Sequence, residues 1–191
     1  KGILATEINE AHPFIISELF MNADRVILDR IKSNELPVIL SICLTDKIRP
    51  FRDDIYVPDT IDKLIVSAEI KNVLNIIEHI RNDFETIEKK SCEKYSYSED
   101  GWMMSLDYCE CISEWINNPE MHISYLCDKY GIFEGGFVRI ISKLNNMLDE
   151  WEAIGTLESR PIQVELAINA KKCLNEHLGG IRTDNSLYIV K

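Results

Sequence analysis

Between Phe137 and Trp151 the chain repeats one pattern without a break. Phe137, Ile140, Ile141, Leu144, Met147, Leu148 and Trp151 fall at i, i+3, i+4, i+7, i+10, i+11 and i+14. That spacing follows the 3.6-residue turn of an α-helix, not the two-residue alternation of a strand. It predicts an amphipathic helix with one apolar stripe turned to a core. No hairpin signal, internal repeat or low-complexity segment competes with it elsewhere. The expectation is an all-α fold: a compact helical bundle around a long central helix, with residues 1–191 forming a single domain.

The other elements follow from punctuation and apolar spacing. Pro13 suits a first turn ahead of Phe14, Ile15, Ile16, Leu19 and Phe20, and Val26 to Ile31 suggests a further turn or two. Ser33 or Asn34 is expected to cap a helix holding Leu36, Ile39, Leu40 and Cys43, with Pro37 in its first turn. After a polar connector from Thr45 to Pro58, Asp59 or Thr60 is expected to cap a long helix to about Lys90. At 1.5 Å per residue that helix is roughly 45 Å long. Its apolar residues, from Ile61 to Ile87, wander around the axis, so it needs neighbours on several sides. A polar strip survives at Lys71, Asn75, Glu78 and Asn82.

Trp102, Met103, Leu106, Ile112, Trp115 and Ile116 define the next helix, which Asn117-Asn118-Pro119 ends. A short helix from His122 to Tyr130 closes at Gly131, and the turn Ile132 to Gly136 leads into the periodic segment. Met121 to Trp151 therefore has the outline of a helix-turn-helix. Gly155 is placed just past the end of the periodic helix. Pro161 opens a last helix closed by Gly179-Gly180, and the apolar tail Ser186 to Val190 is expected to be tied down.

Charge narrows the function. With 21 Lys and Arg against 32 Asp and Glu, the net charge is −11. A protein that grips nucleic acid across its surface carries the opposite surplus. No run of about 18 apolar residues exists to cross a membrane. The opening residues Lys1 to Glu7 hold neither an initiator Met nor an apolar signal core, and read as the cut end of a longer protein. Cysteines 43, 92, 109, 111, 127 and 173 stand mostly in apolar runs and read as buried thiols of an intracellular, reducing compartment, nucleus or cytoplasm. Cys109-Glu110-Cys111 points its thiols about 200° apart on a helix, so no metal is expected. There is no phosphate-cradling G-x-x-x-x-G-K-[ST] loop, no G-x-S-x-G and no H-E-x-x-H. Glu110 and Glu114 read as part of a solvated helix face. The fragment carries no catalytic motif.

On the periodic helix, Arg139, Ser142, Lys143 and Asn146 form one strip turned away from the apolar stripe. A solvated face is the plain reading of such a strip. A resemblance gives it another. Lys1-Gly2-Ile3-Leu4-Ala5-Thr6-Glu7-Ile8 is similar to the K-G-x-x-A-x-E-I opening of the C-terminal helical (DSHCT) domain of DExH-box RNA helicases of the superkiller and exosome-cofactor type. Ser17 to Phe20 resembles T-E-M-x-F, and Pro37 to Leu44 resembles A-x-L-L-S-C-F-V. Phe133 to Arg139 resembles [YF]-E-G-[SD]-[LIF]-[IV]-R, with Leu144 at the end of an R-x-x-R-R-L run. Ala153 to Leu157 resembles A-x-x-I-G-N-x-x-L, and Ser186 to Ile189 resembles S-L-Y-L. The matches keep the family's order from end to end.

The resemblance implies a helical bundle that packs on two RecA-like motor domains of the same chain, closes the RNA channel and touches single-stranded RNA leaving the motor. ATP and Mg would belong to the motor domains of the parent helicase, and none to this fragment. An RNA-degradation complex is an implied partner. Arg139 falls on the family arginine that contacts RNA. Lys143 stands where one of the family's paired arginines would be. Asn75 aligns with an acidic contact on the long helix, and a one-turn shift would bring Glu78 there instead. Frequent Ile, Asn and Lys suit an AT-rich genome such as that of a virus or protist.

Two rivals follow from the charge and the outline. One is a helical protein-interaction scaffold without a nucleic-acid role, favoured by the acidity and the polar connector. The other is an autonomous helix-turn-helix DNA binder, disfavoured by the charge. From Gly135 to Leu148 there is no carboxylate, only Arg139 and Lys143. Acidity therefore excludes a broad grip on RNA but not a contact along one helix. The domain alone is expected to bind single-stranded RNA weakly or not measurably in a fluorescence-anisotropy titration. Tight, salt-sensitive binding would contradict this reading.

Overall fold

The computed structural model describes residues 19–20, 30–44, 55–95 and 106–176. Six α-helices lie within them: α1 Leu36–Ser41, α2 Ala68–Tyr95, α3 Cys109–Asn117, α4 Ile123–Tyr130, α5 Glu134–Leu157 and α6 Pro161–Glu176. A 3-10 turn, Ile61–Lys63, precedes α2. No β-strand occurs among the described residues, so the all-helical expectation holds. The expected helices over 13–18 and 26–29, the connector 45–54, Trp102 and Met103, Gly179-Gly180 and the tail 186–190 lie outside the described residues.

α1 is apolar except for Ser41, and all six of its residues are buried. A helix of that kind is stable only when covered on every side. It packs against α2, α3, α5 and α6. Its cap is neither Ser33 nor Asn34: Glu35 takes the N-cap position and makes no side-chain cap bond. The Glu35 carboxylate instead accepts from the Lys32 backbone N–H at 2.9 Å and from the Ser67 hydroxyl at 2.6 Å. The helix also stops before Cys43, although Cys43 is fully buried.

That carboxylate helps explain the second correction. The long helix begins at Ala68, not at a cap on Asp59 or Thr60, and runs to Tyr95. Thr60 heads only the 3-10 turn, and Leu64 is extended and buried. Tertiary bonds fix the break. Ser67 Oγ accepts from the Ile70 N–H at 3.2 Å while donating to Glu35, and Glu110 Oε1 accepts from the Ile65 N–H at 2.7 Å. Ile65, expected inside the helix, is 84% exposed. Beyond the break, Ile70, Val73, Leu74 and Ile77 are buried, and α2 packs on α1.

α5 is the helix that the apolar period predicts. All seven positions from Phe137 to Trp151 are buried, with Ile154 and Gly155 extending the stripe. α5 and α6 form the most extensive pairing, joined by Glu158, Ser159 and Arg160. They run antiparallel, since Gly155 meets Val164 and Glu152 meets Lys171. Lys171 Nζ bridges Asp149 and Glu152 on α5. Phe20 is anchored on this pair: its ring lies edge-on to Trp151 at 4.9 Å, and its carbonyl accepts from Gln163 Nε2 at 3.1 Å.

Two glycine assignments change. Gly135 lies within the first turn of α5, so the connection from α4 is only Gly131, Ile132 and Phe133. Gly155 is inside α5, not past its end. Ser159, with φ 57°, closes the helix, and the Arg160 N–H donates to the Gly155 carbonyl at 2.8 Å. Gly155 serves the helix crossing instead, because a Cβ there would stand 2.9 Å from Val164 Cγ2. Val164 holds one preferred rotamer in a helix and cannot swing away freely. Gly155→Ala should therefore cost about 1–3 kcal/mol in urea unfolding. Adding Val164→Ala should recover most of that loss; no recovery would place the strain elsewhere.

Candidate nucleic-acid interface

The turn into α5 is set by local chemistry. His122 Nδ1 accepts from the Ser124 N–H at the start of α4. At the other end Gly131 takes the left-handed conformation, φ 62° and ψ 32°. The Gly131 N–H donates to the Asp128 carbonyl and the Ile132 N–H to the Cys127 carbonyl at 2.9 Å. This paired closure reverses the chain, and burial of Ile132 and Cys127 locks it. α5 then starts after Phe133, giving the helix-turn-helix outline expected near 121–151, with α4 packed on α5.

A second set of bonds fixes the pair on α3. Glu114 accepts from Lys129 Nζ and from the Tyr130 hydroxyl, the latter at 2.6 Å. Trp115 of α3 meets Phe137 of α5 edge-on at 5.3 Å. Glu110 and Glu114 are thus not a solvated face: one caps the Ile65 N–H and the other holds the last turn of α4. Sequence spacing could not show this, because their partners stand 45 and 15 or 16 residues away.

On α5 the buried stripe leaves a continuous outward face. Gly135, Arg139, Ser142 and Asn146 are exposed and Lys143 is half-buried. Arg139 and Lys143 stand one turn apart on that face. Asn75 is exposed on α2, with Asn82 exposed and Lys71 and Glu78 half-buried beside it, so the polar strip of α2 is present. α2 and α5 both pack on α1, and α5 packs most extensively on α6. Arg139 and Lys143 therefore share one surface, while Asn75 occupies a second helix. Two exposed aromatics that sequence reasoning did not single out, Tyr125 and Phe133, lie at 64% and 67% exposure on α4 and at the head of α5. Only the position of Phe133 beside the helix start could have signalled it.

The outward strip carries side chains that can donate hydrogen bonds, Arg139, Ser142, Lys143 and Asn146. Arg offers a planar fork of donors that pairs with phosphate or stacks on a ring. Burial pushes the Cys43 and Cys109 thiols up to about 12, and Cys127 up to about 11. No cluster of three or more metal-ligating side chains occurs among the described residues. None of the described helices is long and apolar enough to cross a membrane.

A family model described as the DSHCT (NUC185) domain matches residues 1–174. That span covers every described element except the last two residues of α6. No curated protein matches the chain.

The Glu114 cluster gives a pH test of how α4 is held. Burial raises the Glu114 pKa, but the hydrogen bonds from Lys129 and Tyr130 outweigh it and leave the carboxyl below its ordinary 4.5. A depressed carboxylate stabilises the fold above the unfolded pKa and loses that contribution as pH falls through the folded value. Glu114→Gln should cost about 1 kcal/mol at pH 7 in denaturant unfolding. The gap from the unmodified chain should close as pH drops below 4.5. A gap that stays constant would show that the charge contributes nothing.

Proposed function

The chain belongs to the DSHCT (NUC185) domain family, and from that premise we propose that it guides single-stranded RNA out of a helicase motor along the outward face of α5. DSHCT domains occur in RNA helicases of the superkiller type, and this chain is a helical domain of that helicase-related kind. The finer reading rests on one observation. α5 buries an unbroken stripe into the core and presents Arg139 and Lys143, one turn apart, on a face free of carboxylates from Gly135 to Leu148.

In this reading the Arg139 guanidinium pairs with a phosphate or stacks on a base, and Lys143 adds a second, weaker charge along the strand. Asn75 contributes a hydrogen bond from the polar strip of α2. Two RecA-like motor domains of the same protein hold the domain against the RNA channel. They bind ATP and Mg, for which this chain has no phosphate-cradling loop. An RNA-degradation complex inside the cell, in nucleus or cytoplasm, is the setting that suits such a domain. The acidity of the remaining surface agrees with this division of labour, since the motor supplies most of the affinity.

Arg139→Ala in the full-length protein should weaken RNA-stimulated ATP hydrolysis and unwinding. One lost base or phosphate contact of about 1–3 kcal/mol corresponds to roughly 5- to 150-fold in affinity. The thermal midpoint should move little, because the side chain is exposed and exposed contacts contribute at most about 1 kcal/mol. RNA-dependent activity equal to that of the unmodified protein would sink the assignment. Capture of a protein partner through this helix, with no RNA crosslink on it, would favour the interaction scaffold instead.

A further inference from the structure

Where α5 hands over to α6, the two helices leave an open apolar groove. Its walls are Gly155 and Thr156 of α5 and Pro161, Val164, Glu165 and Ile168 of α6. Leu157 and Ile162, each next in sequence to a wall residue, are 71% and 61% exposed. The groove faces away from the core. Gln163, Leu166, Ala167 and Ala170 of α6 are buried, whereas Pro161 and Glu165 are exposed and Val164 and Ile168 half-buried. A single apolar residue at the surface is ordinary. An apolar groove with two large apolar side chains beside it marks a surface that something covers.

We propose that residues 186–190 of this same chain occupy the groove, running back along the outer side of α6. The proposal does not depend on RNA binding by α5. Residues 177–191 follow α6, and within them Ser186-Leu187-Tyr188-Ile189-Val190 is an uncharged run between Asp184 and Lys191. Tyr, Ile and Val favour an extended backbone. The reach suffices. Residues 177–185 can span about 30 Å, while Pro161 to Ile168 lie about 12–22 Å back along α6 from its end at Glu176. Such a path has to reverse direction just after α6, and Gly179-Gly180 stands there to permit it. The spacing also agrees. Leu187 and Ile189 fall on one side of an extended segment, about 7 Å apart. Val164 and Ile168 stand one turn apart on α6, about 6 Å along its axis. A segment tethered this closely competes at an effective concentration in the millimolar range, ahead of a free partner.

The test is photo-crosslinking in the full-length protein, with p-benzoylphenylalanine in place of Leu187 and the adducts mapped by mass spectrometry. Intramolecular adducts should fall within residues 155–168. Ile162→Glu places a charge beside the groove at an exposed position, so the fold should survive it. It should cut the yield of those adducts roughly fivefold or more, the effect of losing one apolar contact. Ile189→Glu makes the same test from the other side, without touching any described helix, and should give the same loss. Adducts on a motor domain, on another protein or on a second copy of the chain would overturn the proposal by giving the segment another seat. Adducts scattered over the helices, or none, would overturn it as well. A groove adduct whose yield both Glu variants leave unchanged would show chance proximity of a tethered chain, and that too would overturn it.

Discussion

Ten consecutive residues, Glu35 to Leu44, have almost no contact with solvent, and α1 lies within them. A fully buried helix of six residues cannot stand alone, because so short a segment does not repay the cost of nucleation. Its neighbours hold it and are in turn located by it. α2, α3, α5 and α6 all pack on this one element. Leu36, Val38, Ile39 and Leu40 are each at most 1% exposed, and burying such a side chain contributes about 1.5–3 kcal/mol. The two polar side chains of this segment are also satisfied. Ser41 Oγ donates to the Val38 carbonyl at 2.7 Å, and Glu35 is bonded to Lys32 and Ser67. The arrangement of the longer helices follows from the need to enclose this short one.

The helices were legible where local chemistry decides them. The stripe from Phe137 to Trp151 specifies α5, Pro161 starts α6, Gly131 ends α4 and Asn118 ends α3. Boundaries went astray where distant groups decide them. The start of α2 depends on Glu35 and Glu110, and neither is near it in sequence. Gly155 mimicked a helix terminator because a glycine needed for close crossing looks the same in sequence as one needed for a turn. Ser159, an unusual residue for positive φ, gave no signal for the true end. For the candidate site, the shared face of Arg139 and Lys143 could be read from the helical wheel. The anchoring of α4 through Glu114 could not.

Charge is partitioned along α5 rather than spread over it. After Glu134 it carries no carboxylate as far as Leu148, and its last turns carry Asp149 and Glu152 against Lys171 of α6. The acidity of the whole chain is therefore a poor guide to the potential at any one face. The carboxylates that matter most for the fold act as acceptors within it. Glu35 ties α1 to the start of α2, Glu110 fixes the break before α2, and Glu114 holds α4 to α3.

α5 runs from Glu134 to Leu157 as one helix. Arg139 and Gly155 stand on it sixteen residues apart, about 24 Å along the axis. At one end the helix meets solvent; at the other it is locked in the crossing with α6, where not even a methyl group fits. The turn that carries Arg139 is anchored too, since Phe137 and Ile140 are buried and Phe137 meets Trp115 of α3 edge-on. The helix is thus held at both ends by different neighbours, α3 near Arg139 and α6 near Gly155, which leaves its outward strip on a rigid support.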